Sequence, residues 1–248
     1  MSKVISFSLW GNDLKYTQGA IRNAILAMEL FPGWTCRFYI GRSTAFKVTE
    51  DLISLTNRWS RFVRIENKWE AMCGSIHTET TNEIEIYHIQ EPGDWRGMFW
   101  RFEPASDPNV EAMISRDCDS RLSYREKAAV DAWMESDKGF HIMRDHPWHG
   151  SSILGGMWGV KADVVPNMIV LMAAWNQEDR WQTDQDFLNS IIYPRIVDDA
   201  MVHASFFRME PHARDFPLPR IGTEFIGQVF DENELNVAEH VQALAQAL

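Results

Sequence analysis

In the stretch Glu111-Ala-Met-Ile-Ser-Arg-Asp117-Cys-Asp119-Ser-Arg-Leu-Ser123 a short apolar run stops at two carboxylates separated by one residue. A run of this length with no helical period predicts a buried strand over residues 112–115. Its polar outlet lies at the carboxyl end, where open α/β sheets bind their ligands. Side chains alternate along an extended chain, so Asp117 and Asp119 point the same way. Two carboxylates this close repel each other unless a cation sits between them. Oxygen ligands of this kind suit magnesium or manganese, ions that keep positions open for substrate phosphates. The same residues also read as a polar turn in which each Asp bonds its own backbone.

Upstream, residues 3–9 form a β-branched and aromatic strand that ends in the turn signal Trp10-Gly-Asn-Asp13. Ile21, Ile25, Met28 and Leu30 recur at helical spacing over residues 16–30, Pro32-Gly33 stops the run, and 34–40 reads as a second strand. Strand, loop, helix, strand is the opening of a βαβ unit, with ligands at the strand-to-loop exit. Asn12, Asp13 and Tyr16 occupy that exit. There an Asp accepts from a base or ribose and a Tyr stacks, or else the two serve as a loop cap and a half-buried aromatic. Residues 44–62 predict a helix and 62–65 a short third strand, whereas 69–91 carry no legible pattern. Gly93 to Phe102 opens a helix or turn on which Arg96 and Arg101 are candidates to face the acidic outlet, with a solvated Arg as the alternative for each.

Downstream, Ser123-Tyr-Arg-Glu126 matches a capping box, in which the Ser accepts from the backbone and the Glu reaches back to it. A helix to Ser136 follows, with Ala128, Ala129, Ala132 and Trp133 on its inner side. Residues 140–143 predict a strand that ends in the dense group Arg144-Asp145-His146-Pro-Trp148-His149. Ser151, Gly155, Gly156 and Gly159 lack the spacing of a phosphate loop and suit close approach by a ligand or another strand. A helix is expected over 163–175. Thr183-Asp184-Gln185-Asp186-Phe-Leu-Asn189 opens the next, where capping accounts for one acid but not for two acids and a Gln. Residues 201–207 read as a strand containing His203, 211–219 as a loop, and 233–248 as an amphipathic helix. The alternation of helices and strands predicts an α/β fold, in one domain over 1–248 on which 208–248 packs.

The chain has 248 residues, of which 45% are hydrophobic and 24% charged, as in ordinary globular proteins. A formal net charge of -11 argues against a nucleic-acid binder, which needs a basic field. Cys36, Cys73 and Cys118 are odd in number and widely spaced, which excludes a disulfide framework and suits a reducing, cytoplasmic setting. The amino terminus carries no signal-peptide pattern, and the longest apolar run, 168–175, is too short to be a transmembrane segment. Most of the eleven Trp are expected in the core.

Three separated features together resemble the GT-A fold glycosyltransferases. Asp117-Cys-Asp119 resembles their Asp-x-Asp signature, and Asp184-Gln-Asp186-Phe-Leu-Asn189 is similar to the Asp-Gln-Asp-x-Leu-Asn segment of the glycogenin-like and galactosyltransferase-type branch. His203 matches the place where that branch supplies a further metal ligand. The first strand with Asn12, Asp13 and Tyr16 resembles its base-binding loop. The resemblance implies a mostly parallel central sheet flanked by helices, a UDP- or GDP-sugar donor, a glycan or other hydroxyl acceptor, and a divalent Mn2+ or Mg2+. It implies a metal held by Asp119, His203 and Asp117, the last of which alternatively binds ribose. It also implies Arg101, Arg144 and His146 near the phosphates or acceptor, and Asp184, Gln185 and Asp186 as the catalytic segment. Arg116 stands where the family has an apolar residue, Ser120-Arg121 is not the usual continuation, and the His-x-x-Gly-x-x-Lys tail is absent, with Arg208, Arg214 and Arg220 as the nearby cations. In these respects the chain is more similar to viral and bacterial polysaccharide glycosyltransferases.

Two rival classes give different expectations. A haloacid-dehalogenase-type phosphatase would use Asp117 as nucleophile with Lys161, Asp198 and Asp199. A carbohydrate-binding module would use the tryptophans as stacking platforms, on a fold that is usually all-β.

Overall fold

The computed structural model describes residues 1–55, 78–80 and 83–248. In chain order these form β1 (Ser2–Leu9), α1 (Leu14–Leu30), β2 (Trp34–Gly41), α2 (Phe46–Ser54), β3 (Thr78–Thr80) and β4 (Ile84–Ile89). A 3-10 segment (Trp95–Ser106) then leads into β5 (Val110–Arg116), α3 (Tyr124–Met134), β6 (Phe140–Arg144) and β7 (Trp158–Lys161). Next come α4 (Met168–Ala174), α5 (Thr183–Phe187), a π turn running into α6 (Tyr193–Ile196), β8 (Ala200–Ala204) and α7 (Ala238–Ala247).

The strands make one mixed, mostly parallel sheet in the order β3-β4-β2-β1-β5-β7-β6-β8. β1 is parallel to both β2 and β5, β2 to β4, and β6 to β8, while β7 runs antiparallel between β5 and β6. The fold is therefore the α/β architecture expected. β1, β2 and β5 are apolar runs because both faces of a parallel sheet are covered. On β5, Ala112 and Ile114 join the core under α1 and α3 with Ile5, Phe7 and Trp133. Met113 faces the opposite core with Phe102, Trp158 and Phe187. Among the described residues no helix is long and apolar enough to cross a membrane, and Cys36 and Cys118 are free and buried.

Several boundaries differ from expectation. The helix expected over 163–175 starts at Met168, because Pro166 disfavours helical backbone at Val165 and Asp163 is left-handed at φ 64°. The C-terminal helix starts at Ala238 rather than 233, since the Asp231 carboxylate accepts from the backbone N–H of Asn233 and Leu235, at 2.8 Å each, and closes a turn. The glycine-rich run supplies β7, and 69–91 contains β3 and β4; neither was read as strand. The helix over 44–62 is described only as α2, and the strand over 62–65 and Cys73 fall outside the described residues.

Candidate functional site

β5 delivers Asp117 and Asp119 to the carboxyl end of the sheet, beside the loop that joins β1 to α1. The turn that carries them is tightly held. The buried Asn23 of α1 donates to the carbonyls of Cys118 (3.3 Å) and Ser120 (2.8 Å) and accepts from the Leu122 N–H (3.1 Å). Gly19 lets α1 approach, because a side chain there would run into the Cys118 carbonyl. Arg121 donates to the same two carbonyls and pairs with Glu234 of the C-terminal segment at 2.7 Å. That segment is pinned again where the Phe230 N–H donates to the Asp119 carbonyl at 2.9 Å.

Asp117 belongs to a charged chain. Arg101, buried in the 3-10 segment, donates one guanidinium nitrogen to the Asp117 carboxylate and the other to Asp184 at 2.9 Å. Asp184 is buried, with its side chain 2% exposed, whereas that of Asp117 is 46% exposed and available to a ligand. Burial holds the Asp184 carboxyl above its ordinary range, with the charge of Arg101 opposing. Gly155 and Gly156 lie against this chain. A Cβ at Gly155 would stand 2.6 Å from Arg101, and one at Gly156 would run into the Asp117 carboxylate. The glycines thus allow the close approach expected of them, to a neighbouring element.

Asp119 is turned towards α1, where the Lys15 ammonium lies 3.0 Å from its carboxylate. Burial and then the charge of Asp117 push the Asp119 carboxyl up, and Lys15 opposes them. Tyr16 is raised by burial and then by Asp119, and packs its ring on the core. Asn12 and Asp13 adopt the loop-cap arrangement. The Asn12 amide bridges Ser43 O (2.9 Å) and Ala45 N (2.7 Å), and Asp13 caps α1 through Lys15 N at 2.9 Å.

The remaining candidates separate. Asp186 makes a half-exposed pair with Arg180 at 2.6 Å. Gln185 has its Oε1 buried with no partner among the described residues, while its backbone carbonyl accepts from Asn189 at 2.6 Å. His203 does not join the Asp pair. Its Nδ1 is hydrogen-bonded at 2.8 Å to Nε2 of His141 across β6 and β8, its ring stacks on Phe216, and burial lowers its pKa to about 4. No group of three or more His, Cys, Asp or Glu is arranged to hold a metal among the described residues. His240 of α7, which the sequence presents only as part of an amphipathic helix, is lowered by burial, with the charges of Glu239 and then Asp119 opposing. His146 donates its Nε2–H to the His240 carbonyl of the same helix at 2.9 Å. Arg144 is fully buried and paired with Glu210, a structural role.

Arg116 also has a structural explanation. It pairs with the buried Glu126, so the capping box is only half formed: Ser123 accepts from Glu126 N at 3.2 Å, while the Glu126 side chain turns to Arg116. Asp145, in the dense group at the end of β6, is a buried hub that binds Arg125 (3.0 Å), Arg220 (2.6 Å), Ser205 Oγ (2.6 Å) and Ile226 N (3.0 Å). A cavity of about 480 Å³ opens beside Arg125, Phe216 and Arg220, whose guanidiniums Asp145 already occupies.

The phosphatase arrangement is contradicted by register. Lys161 pairs with Ala112, five residues before Asp117, or about 16 Å along the strand. Its ammonium donates to Ser136 O at 2.7 Å, and Asp199 accepts from Gly139 N at 3.2 Å.

No family model matches the chain, and no curated protein matches it. Among solved structures it is similar to the 4-diphosphocytidyl-2C-methyl-D-erythritol synthase of Anaerococcus prevotii, at 9% identity and a TM-score of 0.50 over 99% of this chain and 98% of that one. It is also similar to a glycosyltransferase involved in the glycosylation of the major capsid of PBCV-1, at 14% identity and a TM-score of 0.49 over 82% of each chain. At these identities the likeness is one of fold, a mixed and mostly parallel α/β sheet flanked by helices.

Proposed function

We propose that this chain is a glycosyltransferase that moves a sugar from a UDP- or GDP-sugar to a hydroxyl of a glycan or related acceptor, with Mn2+ or Mg2+ bound at Asp117 and Asp119. The observation that carries the reading is the carboxylate pair at the end of central strand β5, one member of which already holds a cation, Lys15, at 3.0 Å. Two hard carboxylates on one turn, Asp117 with its side chain 46% exposed, suit an ion that is bound by one or two carboxylates and completed by substrate phosphates. Such an ion, when bound, supplies charge stabilisation for the departing diphosphate without proton transfer.

The protein groups have separable tasks. Arg101 fixes Asp117 and Asp184 relative to one another through its two guanidinium nitrogens. Asp184, buried against Arg101, positions the segment, the unpartnered Oε1 of Gln185 is an acceptor beside it, and the half-exposed Asp186 at its rim accepts from sugar hydroxyls. Tyr16 and Asp13 line the base side, while Asn12 shapes the loop. Retention of configuration is favoured by the resemblance to the glycogenin-like branch. The test is incubation of the protein with a panel of UDP- and GDP-sugars and manganese, reading released nucleoside diphosphate. Release from one donor class, abolished by Asp119→Ala in a folded variant, supports the reading. No release and no donor binding across the panel defeats it.

A further inference from the structure

Lys15 is the second residue of α1, in the first turn, where the helix dipole disfavours a positive charge. Its backbone N–H is already used by the Asp13 cap at 2.9 Å, so the start of the stem is fixed and only the four-carbon chain is free to move. The ammonium ends 3.0 Å from Asp119 and 4.4 Å from the centre of the Tyr16 ring, with the side chain 29% exposed. It therefore sits where a divalent ion on Asp119 would place two further positive charges. The ammonium and that ion cannot share the carboxylate without strong repulsion.

We propose that Lys15 is a built-in counter-cation that competes with the divalent metal for Asp119 and moves to the nucleotide diphosphate when metal and nucleotide bind together, so that each favours the other. This rests on the metal-dependent reading above. Without nucleotide, metal binding must displace Lys15 from Asp119 and leaves its charge facing the ion. With nucleotide present, the diphosphate beside the ion offers the displaced ammonium a new anionic partner. By linkage, the factor by which nucleotide tightens metal binding equals the factor by which metal tightens nucleotide binding. Lys15 is a positioning residue in this scheme and takes no part in bond making.

The experiment is titration of Mn2+ into the protein, followed by the electron paramagnetic resonance signal of the free ion, alone and with UDP or GDP. Wild type, Lys15→Met and Lys15→Arg are compared after thermal melting has established that each is folded. Lys15→Met is expected to bind Mn2+ alone about fivefold more tightly, the loss of one partly shielded ion pair. Its enhancement by nucleotide should fall by a similar factor, and Lys15→Arg should keep most of it. A wild type that takes up Mn2+ only with nucleotide, beside a Lys15→Met variant that takes it up alone, is the strongest form of that result. Unchanged or weaker Mn2+ affinity in Lys15→Met, in a protein whose wild type binds Mn2+ with nucleotide, overturns the role of Lys15 and leaves the metal site standing. Absence of Mn2+ binding in every variant under both conditions overturns both.

Discussion

Replacing Arg101 with Met removes the cation that joins Asp117 to Asp184. The two carboxylates lose unequally. Asp117 is 46% exposed and is screened by water, so its pair contributes about 0–1 kcal/mol. Asp184 is 2% exposed, and stripping its partner leaves a buried charge, which costs about 3–5 kcal/mol. The sum for Arg101→Met is therefore roughly 3–6 kcal/mol at neutral pH, dominated by Asp184. Asp184→Asn removes the stranded charge, so the double variant should regain about half of the loss. Urea unfolding measures both; with a slope of about 2–3 kcal/mol per molar, the midpoint of Arg101→Met should fall by roughly 1–3 M. The sign of the pH dependence follows from burial, which already raises the Asp184 carboxyl; without Arg101 it rises further. The stability deficit is full above that raised pKa and shrinks as pH falls through it and the carboxyl takes up a proton. A midpoint within 0.3 M of wild type (about 1 kcal/mol), or no recovery in the double variant, would refute this description of the charged chain.

Other changes test the parts around it. Asn23→Ala frees the turn that carries the two aspartates by removing three buried hydrogen bonds, and should cost about 3 kcal/mol, seen as a melting point lower by on the order of 5–10 °C. Gly156→Ala places a methyl against the Asp117 carboxylate and 3.0 Å from its backbone nitrogen, so metal–nucleotide binding should weaken at least tenfold on the order of the fit lost, at a stability cost of about 1–3 kcal/mol in calorimetry. His203 is held neutral in the fold, with its pKa at about 4 against an unfolded value of about 6.5. The unfolded chain therefore takes up the proton first, and stability falls as pH drops from about 6.5 to about 4, by about 3 kcal/mol from this residue. His203→Leu should flatten that part of the urea-midpoint profile, and an unchanged acid slope would count against the buried imidazole pair.

The strands that position the site were readable because a parallel strand covered on both faces is a plain apolar run, as in β1, β2 and β5. The carboxylate pair was readable because it interrupts such a run. β7 was not, since its Gly159 sits where a side chain would run into Met113 and Ile114, and glycine carries no strand signal. His203 was misplaced because a histidine on a strand says nothing about which neighbour its ring meets, and here the neighbour is His141 on the adjacent strand. Asn23 looks like any polar helix residue, yet its partners lie 95 to 99 residues away in sequence. Lys15 carries no signal in the sequence for the same reason: it draws its meaning from Asp119, which only the fold brings near.

The most direct test is isothermal titration of the wild-type protein with UDP and with GDP, each first with manganese and then with a chelator. Binding of one nucleotide that requires manganese and disappears in Asp119→Ala is expected. Binding that is equal with and without the metal, or absent for both nucleotides, would contradict a metal-dependent donor site at Asp117 and Asp119.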